Sequence, residues 1–174
     1  MLAVVASSRL SAAQASAPND LLSQVEREVE ADNPLVRQCI EASGSQFAAM
    51  LRTKSFSLHR GQPPAWLVEW LSPCLAGNDN GAKLVYVRAG NEWRKIFDGL
   101  GDTVEVLSTR TNGWRELVLW QHDTASRRAR TLYRFDGTTF KPVSCVLVRF
   151  RDEITHKPLR PPISEPCPPE FWKP

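Results

Sequence analysis

The chain has 174 residues, the length of one domain, with 42% hydrophobic and 24% charged residues, a balance that builds a core and excludes wholesale disorder. Its 22 basic and 19 acidic residues leave a net charge of +3 and are interspersed, which argues against nucleic-acid binding through one basic stripe. The one basic cluster, Arg127-Arg128-Ala129-Arg130, reads as a solvated hairpin tip, with a patch for phosphate or an acidic partner as the alternative.

Residues 1–17, MLAVVASSRLSAAQASA, are compositionally separate. A short apolar run leads into Ala13-Gln14-Ala15 and Ala15-Ser16-Ala17, small-residue patterns that suit signal peptidase. The basic start of a signal peptide is missing and Arg9 interrupts the apolar run, so a disordered tail is the competing reading. No other stretch approaches the ~18 apolar residues of a membrane span, and none is expected.

A single α+β domain is expected over 18–151. Asn19-Asp20 can open a helix whose Leu22, Val25 and Val29 share one side. Asn33-Pro34 starts a second, with a capping residue followed by Pro at the first helical position. Val36, Cys39, Ile40, Ser43, Phe47, Met50 and Leu51 fall on one face and carry this helix to about residue 54, through a Gly44 that weakens it without breaking it. The helical part is therefore 19–54.

From Phe56 the period changes to that of a β-meander, 56–151. Strands are predicted over 56–59, 66–71, 83–88, 93–98, 103–108, 114–121, 130–136 and 139–143, with 145–151 as one more. Asp79-Asn80-Gly81, Ala89-Gly90-Asn91, Asp98-Gly99, Asn112-Gly113 and Asp136-Gly137 supply the turns, since Asn-Gly and Asp-Gly tolerate positive φ. Such short links make successive strands antiparallel. Residues 152–174 are loaded with proline and are expected to run as an extended, polyproline-like tail. The expected fold is thus N-terminal helices packed on an antiparallel meander sheet, followed by that tail.

The four cysteines, Cys39, Cys74, Cys145 and Cys167, form no Cys-x-x-Cys, and no His stands at zinc-finger spacing from them. An exported chain would hold them as two disulfides, with three connectivities open. Joining neighbouring segments favours Cys39–Cys74 and Cys145–Cys167, each bridge stabilising by roughly 2–4 kcal/mol. Four buried thiols in a cytosolic protein are the alternative.

The segment Thr111-Asn-Gly-Trp-Arg-Glu-Leu117 has the rhythm of a calcium loop, but calcium wants about six to eight oxygens. Only Asn112 and Glu116 offer them, and Arg115 between them opposes a cation, so a hairpin is expected and no metal. The three histidines, His59, His122 and His156, adjoin no nucleophile motif, and His122 is assigned to a loop after its strand. Walker A and Gly-x-Gly-x-x-Gly are absent, so no catalytic residue and no cofactor is assigned. Along 114–121, Trp114, Glu116, Val118 and Trp120 share one face, and Arg115, Leu117, Leu119 and Gln121 the other. Both faces carry apolar residues, which points to a second layer or a ligand surface. In the next strand Thr131, Tyr133 and Phe135 make the better core face, leaving Arg130, Leu132, Arg134 and Asp136 outward. A partner surface is therefore expected from Arg115, Arg128, Arg130 and Arg134 with Trp114 and Trp120, because Arg and Trp dominate interface hot spots.

The run 74–145 resembles a group of exported bacterial proteins of uncharacterised function. In that group a "tnGyrDl" segment, a "hxsa" loop and a "yrFdGxxY" strand are followed by a cysteine; here the matching stretches are 111–117, 122–126 and 133–140. Glu116 stands where Asp is usual, Phe140 where Tyr is usual, and the Cys-Gly-x-x-Asn-type loop that opens the group's pattern keeps only Cys74 here, which the resemblance then pairs with Cys39. A looser likeness, at the level of fold, is to periplasmic lysozyme inhibitors and effector-immunity proteins. The export signal, the expected disulfides, the meander rich in Trp and Arg and the lack of a nucleophile or metal motif point to a periplasmic or secreted binding module whose partner is another protein, such as a cell-wall hydrolase that it inhibits. The alternative is an enzyme acting on glycans or peptidoglycan through paired carboxylates drawn from Glu69, Glu92 and Glu116.

Overall fold

The computed structural model describes residues 16–71 and 80–168, in which two helices precede nine strands arranged as two antiparallel sheets. Helix α1, Asn19–Asp32, buries Leu21 and Val25, one turn apart, with Leu22 and Val29 packed beside them. Ala17 is buried in the same cluster, so the folded body begins before residue 18. Asn33 Oδ1 accepts the Leu35 amide and Pro34 has helical dihedrals, so α2, Leu35–Ser43, starts as expected. It stops eleven residues early. Gly44 takes φ 64°, the left-handed cap that only glycine adopts at little steric cost, and the expected continuation is instead a 3-10 turn, Phe47–Met50, and the first strand.

The first sheet has the order β1-β2-β3-β4: β1 Leu51–Phe56, β2 Ala65–Trp70, β3 Gly81–Ala89 and β4 Glu92–Gly101. The second has the order β5-β6-β7-β8-β9: β5 Thr103–Thr111, β6 Trp114–Thr124, β7 Arg127–Phe135, β8 Phe140–Arg151 and β9 Pro158–Pro166. The expected meander is present, but as two sheets rather than one. Four outcomes differ from the sequence reading. The strand expected over 56–59 forms instead as β1, five residues earlier, in the stretch read as the end of the second helix. Asp98-Gly99 lies inside β4 and turns nothing. Residues 139–143 and 145–151 merge into one strand, with Pro142 absorbed beside a bulge. The tail is not free over 158–166: it pairs with β8, Val146 opposite Pro166 and Arg149 opposite Ile163, as the sheet's outer strand. An edge strand tolerates proline because half of its amides face no neighbour.

Alternation then assigns the layers. Trp66, Val68 and Trp70 of β2 and Leu84 and Tyr86 of β3 face the helices. The Tyr86 hydroxyl donates to Glu28 Oε2 at 2.7 Å and Gln24 Nε2 to the Trp93 carbonyl at 2.8 Å, pinning α1 to the sheet. Leu67, Val85 and Phe97 point the other way, into a second core shared with Leu117, Leu119, Phe135 and Phe140 of the second sheet. The order is helices, first sheet, second sheet. Cys145 and Cys167 form a disulfide with Cα atoms 5.4 Å apart, holding the end of β9 to β8. Cys39 is also disulfide-bonded; its expected partner Cys74 lies outside the described residues, as do residues 1–15 of the expected leader.

The sheets meet where β4 passes into β5. A Cβ on Gly101 would stand 2.5 Å from the Trp120 carbonyl oxygen and 2.6 Å from Leu119 Cδ1, and the Asp102 amide donates to that carbonyl at 2.8 Å. Overpacking at such a contact costs about 1–3 kcal/mol. Gly101→Ala should lower the unfolding free energy by that amount in urea denaturation; a change below about 0.5 kcal/mol, the usual surface value, would show that the sheets separate freely here.

Candidate functional site

Strand β6 decides where the candidate side chains go. Leu117 and Leu119 point into the core between the sheets, so Glu116, Val118 and Trp120 project to the opposite side, as the alternation predicts. The register sets Val118 opposite Leu132, Trp120 opposite Arg130 and His122 opposite Arg128 on β7. Arg128, Arg130, Leu132 and Arg134 therefore form a row along one face, with neighbouring members roughly 7 Å apart.

Each arginine of the row is held. Arg128 Nη1 lies 3.3 Å from Asp102 Oδ2. The Arg130 guanidinium sits 5.8 Å from the centre of the Trp120 ring, in cation–π range, while Trp120 Nε1 donates to Glu105 Oε2 at 3.4 Å. Arg134 Nε donates to Glu116 Oε1 at 2.7 Å. The side chains of Arg128 and Arg134 are 47% and 48% exposed, whereas that of Glu116 is 8% exposed, so the acid anchors and the base is presented.

Glu116 is the best-satisfied charge on this face. The Thr109 hydroxyl donates to Oε2 at 2.7 Å and the Thr111 hydroxyl to Oε1 at 2.8 Å, beside Arg134. The Thr109 bond leads in holding the Glu116 carboxyl below its ordinary 4.5; burial pushes the other way, and Thr111 and Arg134 reinforce the lowering. The hairpin brings these groups together. Asn112 and Gly113 take φ 52° and 82°, a two-residue turn with Thr111 opposite Trp114. The threonines carried no signal in the sequence, because a register shift between Val106 and Arg110 displaces β5 against β6.

Two expected members are placed elsewhere. Arg115 lies on the other face of β6, where Nε donates to the Leu107 carbonyl at 2.6 Å and Nη2 to that of Val106 at 3.1 Å. Trp114 stacks on Phe135 with ring centres 4.0 Å apart and packs against the inter-sheet core. His59 lies 5.2 Å from Trp114 and pairs with it in a lone bridge. His122 is within β6 rather than in a loop, and its backbone is clipped by both ends of the Asn80 amide, at 2.7 and 2.8 Å. The carboxylates considered for glycan chemistry are not brought together. Glu69 is on β2, ion-paired with Lys83 at 3.5 Å and Arg52 at 3.9 Å; Glu92 opens β4; Glu116 projects from the far side of β6.

No protein-family model, no curated protein and no solved structure matches the chain.

The depressed Glu116 titration has a sign. Its contribution is complete above the unfolded value near 4.5 and is lost as pH falls through the lower folded value. Glu116→Gln should cost about 1.5–3 kcal/mol at pH 7, the range for hydrogen bonds to a charged group. The gap between variant and parent should narrow at pH 3 in urea unfolding; an equal gap at both pH values would show that the carboxylate charge plays no part.

Proposed function

We propose that the protein is a binding module of the bacterial envelope, periplasmic or secreted, whose partner is another protein that it engages through the arginine row on β7. The observation that carries this reading is the pairing of Arg130 with Trp120 beside the half-exposed Arg134 and Arg128, on the side of the second sheet turned away from both core clusters. A guanidinium already oriented by a neighbour loses less freedom when it grips a carboxylate, and bidentate geometry adds strength. The acids Asp102, Glu105 and Glu116 interleave with the row, which suits a mixed protein surface better than a phosphate backbone. The outer strand β9 favours contact through side chains over strand addition, because it carries four prolines, Pro158, Pro161, Pro162 and Pro166, which lack the amides that a further strand would pair with.

A cell-wall hydrolase fits as partner because its cleft carries paired carboxylates, which arginines complement. The Cys145–Cys167 disulfide supports an oxidising compartment, and no helix among the described residues is long and apolar enough to cross a membrane. Ala17 bears on the leader. Since it is buried in the helix core, removal of a signal after Ala15 keeps the core whole, whereas removal after Ala17 takes a buried residue away.

Two outcomes are expected. Arg130→Glu should leave the fold intact and weaken binding to a lysozyme-type muramidase at least tenfold, about 1.4 kcal/mol, in a titration. Arg134 is the poorer choice for this test, because its reversal would set a second carboxylate against the buried Glu116. Undiminished binding by Arg130→Glu would place the interface elsewhere. Mass spectrometry of exported protein should find a mature chain beginning at Ser16; a chain beginning at Pro18 would contradict the assignment.

A further inference from the structure

The core between the sheets is unfinished at one edge. Among the described residues strand β1 pairs only with β2, and β5 only with β6, so each is an edge of its sheet. Between them lies a cavity of about 370 Å³, lined by Lys54, Phe56 and Leu67 of the first sheet and by Val104, Val106 and Arg115 of the second. Leu67 is buried, but Phe56, Val104 and Val106 are only partly covered, unlike the rest of the core they extend. Their exposed carbon is the wall of the cavity.

Two cations stand at this wall, with Thr103 and Glu105 as the other polar residues. Lys54, directly across from Leu67 in the register, is exposed and has no hydrogen-bond or ion-pair partner among the described residues. Arg115 spends Nε and Nη2 on the Leu107 and Val106 carbonyls, which fixes the guanidinium plane and leaves Nη1 uncommitted among the described residues. Glu105 also borders the cavity, but its carboxylate is engaged by Trp120 Nε1 on the far side of β5.

We propose that this cleft binds a single-chain amphipathic carboxylate, its apolar chain against Phe56, Leu67, Val104 and Val106 and its anionic head between Lys54 and Arg115. The volume falls at the small end of the ~300–1,000 Å³ range of ligand sites. At the ~30 Å³ that a water molecule takes in the liquid, it holds on the order of a dozen non-hydrogen atoms, the size of a ten-carbon fatty acid. Sheet edges with apolar carbon left uncovered and a fixed guanidinium beside a free ammonium complement such a molecule in both shape and charge.

Decanoate, below its micelle concentration, is the probe, and backbone amide NMR shifts of the full chain are the readout. Saturable one-to-one shifts are expected in β1, β2 and β5. Lys54→Glu, at an exposed position that leaves the fold intact by circular dichroism, should weaken decanoate at least tenfold. Decanol should bind at least tenfold more weakly than decanoate. Arg130→Glu, on the other side of the second sheet, should leave decanoate affinity unchanged, which separates this site from the protein-binding face. Absence of saturable shifts, shifts mapping outside the cleft, undiminished affinity in Lys54→Glu, or equal binding of decanol would each overturn the proposal.

Discussion

The architecture depends on one close approach, where the chain leaves the first sheet and enters the second. Gly99 and Gly101 lack the Cβ atoms that would strike Leu119 and the Trp120 carbonyl, and the Asp102 amide donates to that carbonyl. At its other end β6 is tied again, the Arg115 amide donating to the Leu58 carbonyl at 2.8 Å. Held at Trp120 by the link between β4 and β5 and at Arg115 by the loop after β1, the strand cannot rotate about its axis. The alternation of Leu117 and Leu119 inward with Glu116, Val118 and Trp120 outward is therefore locked, and with it the face on which the arginine row stands.

That row is organised by acids that are themselves buried or engaged. Glu116 has its desolvation offset by two hydroxyls and a guanidinium, so the cost of placing a carboxylate on the sheet is met locally. Arg134 is then oriented rather than free, and Arg130 and Arg128 are oriented by Trp120 and Asp102. Preorganisation of this kind lowers the side-chain entropy lost on binding. It also makes stability and recognition draw on the same groups, so that substitutions at Glu116 act on both.

The two sheets end differently. The edge at β9 is closed to further pairing by prolines and held by the Cys145–Cys167 bridge. The edges at β1 and β5 stay apart, and the residues between them are partly exposed. A sandwich whose layers are joined at the β4–β5 corner and open along β1 and β5 has a natural cleft there, because the core side chains run out before the edges do.

Local chemistry was written in the sequence wherever the deciding forces act between near neighbours. Period-two runs marked the strands, Asn112-Gly113 marked the two-residue hairpin, and Asn33-Pro34 marked the start of α2. The outward set Arg130, Leu132 and Arg134 followed from alternation alone. Cys145 and Cys167 were legible as a pair because they flank one connection. What the sequence could not show depends on contacts made across the fold. Gly44 ends α2 because the following residues are drawn into β1 against β2, a pairing that overrides their helical spacing. Asp98-Gly99 has turn chemistry, yet β4 runs straight through it, because the glycine is needed where Leu119 of the other sheet comes close. The proline-rich segment became a strand because β8 offered it an edge. Trp114 was drawn into the core beside its bridge to His59, which leaves no mark in composition or period, whereas the face of Arg115, shared with Leu117 and Leu119, followed from alternation. The sequence by itself determined the strand-forming stretches from β2 to β8, the hairpin turns at Gly90, Gly113 and Gly137, and the charge on each strand face. Only the tertiary structure decided which face was covered, since burial of a strand depends on the other layer and not on its own residues.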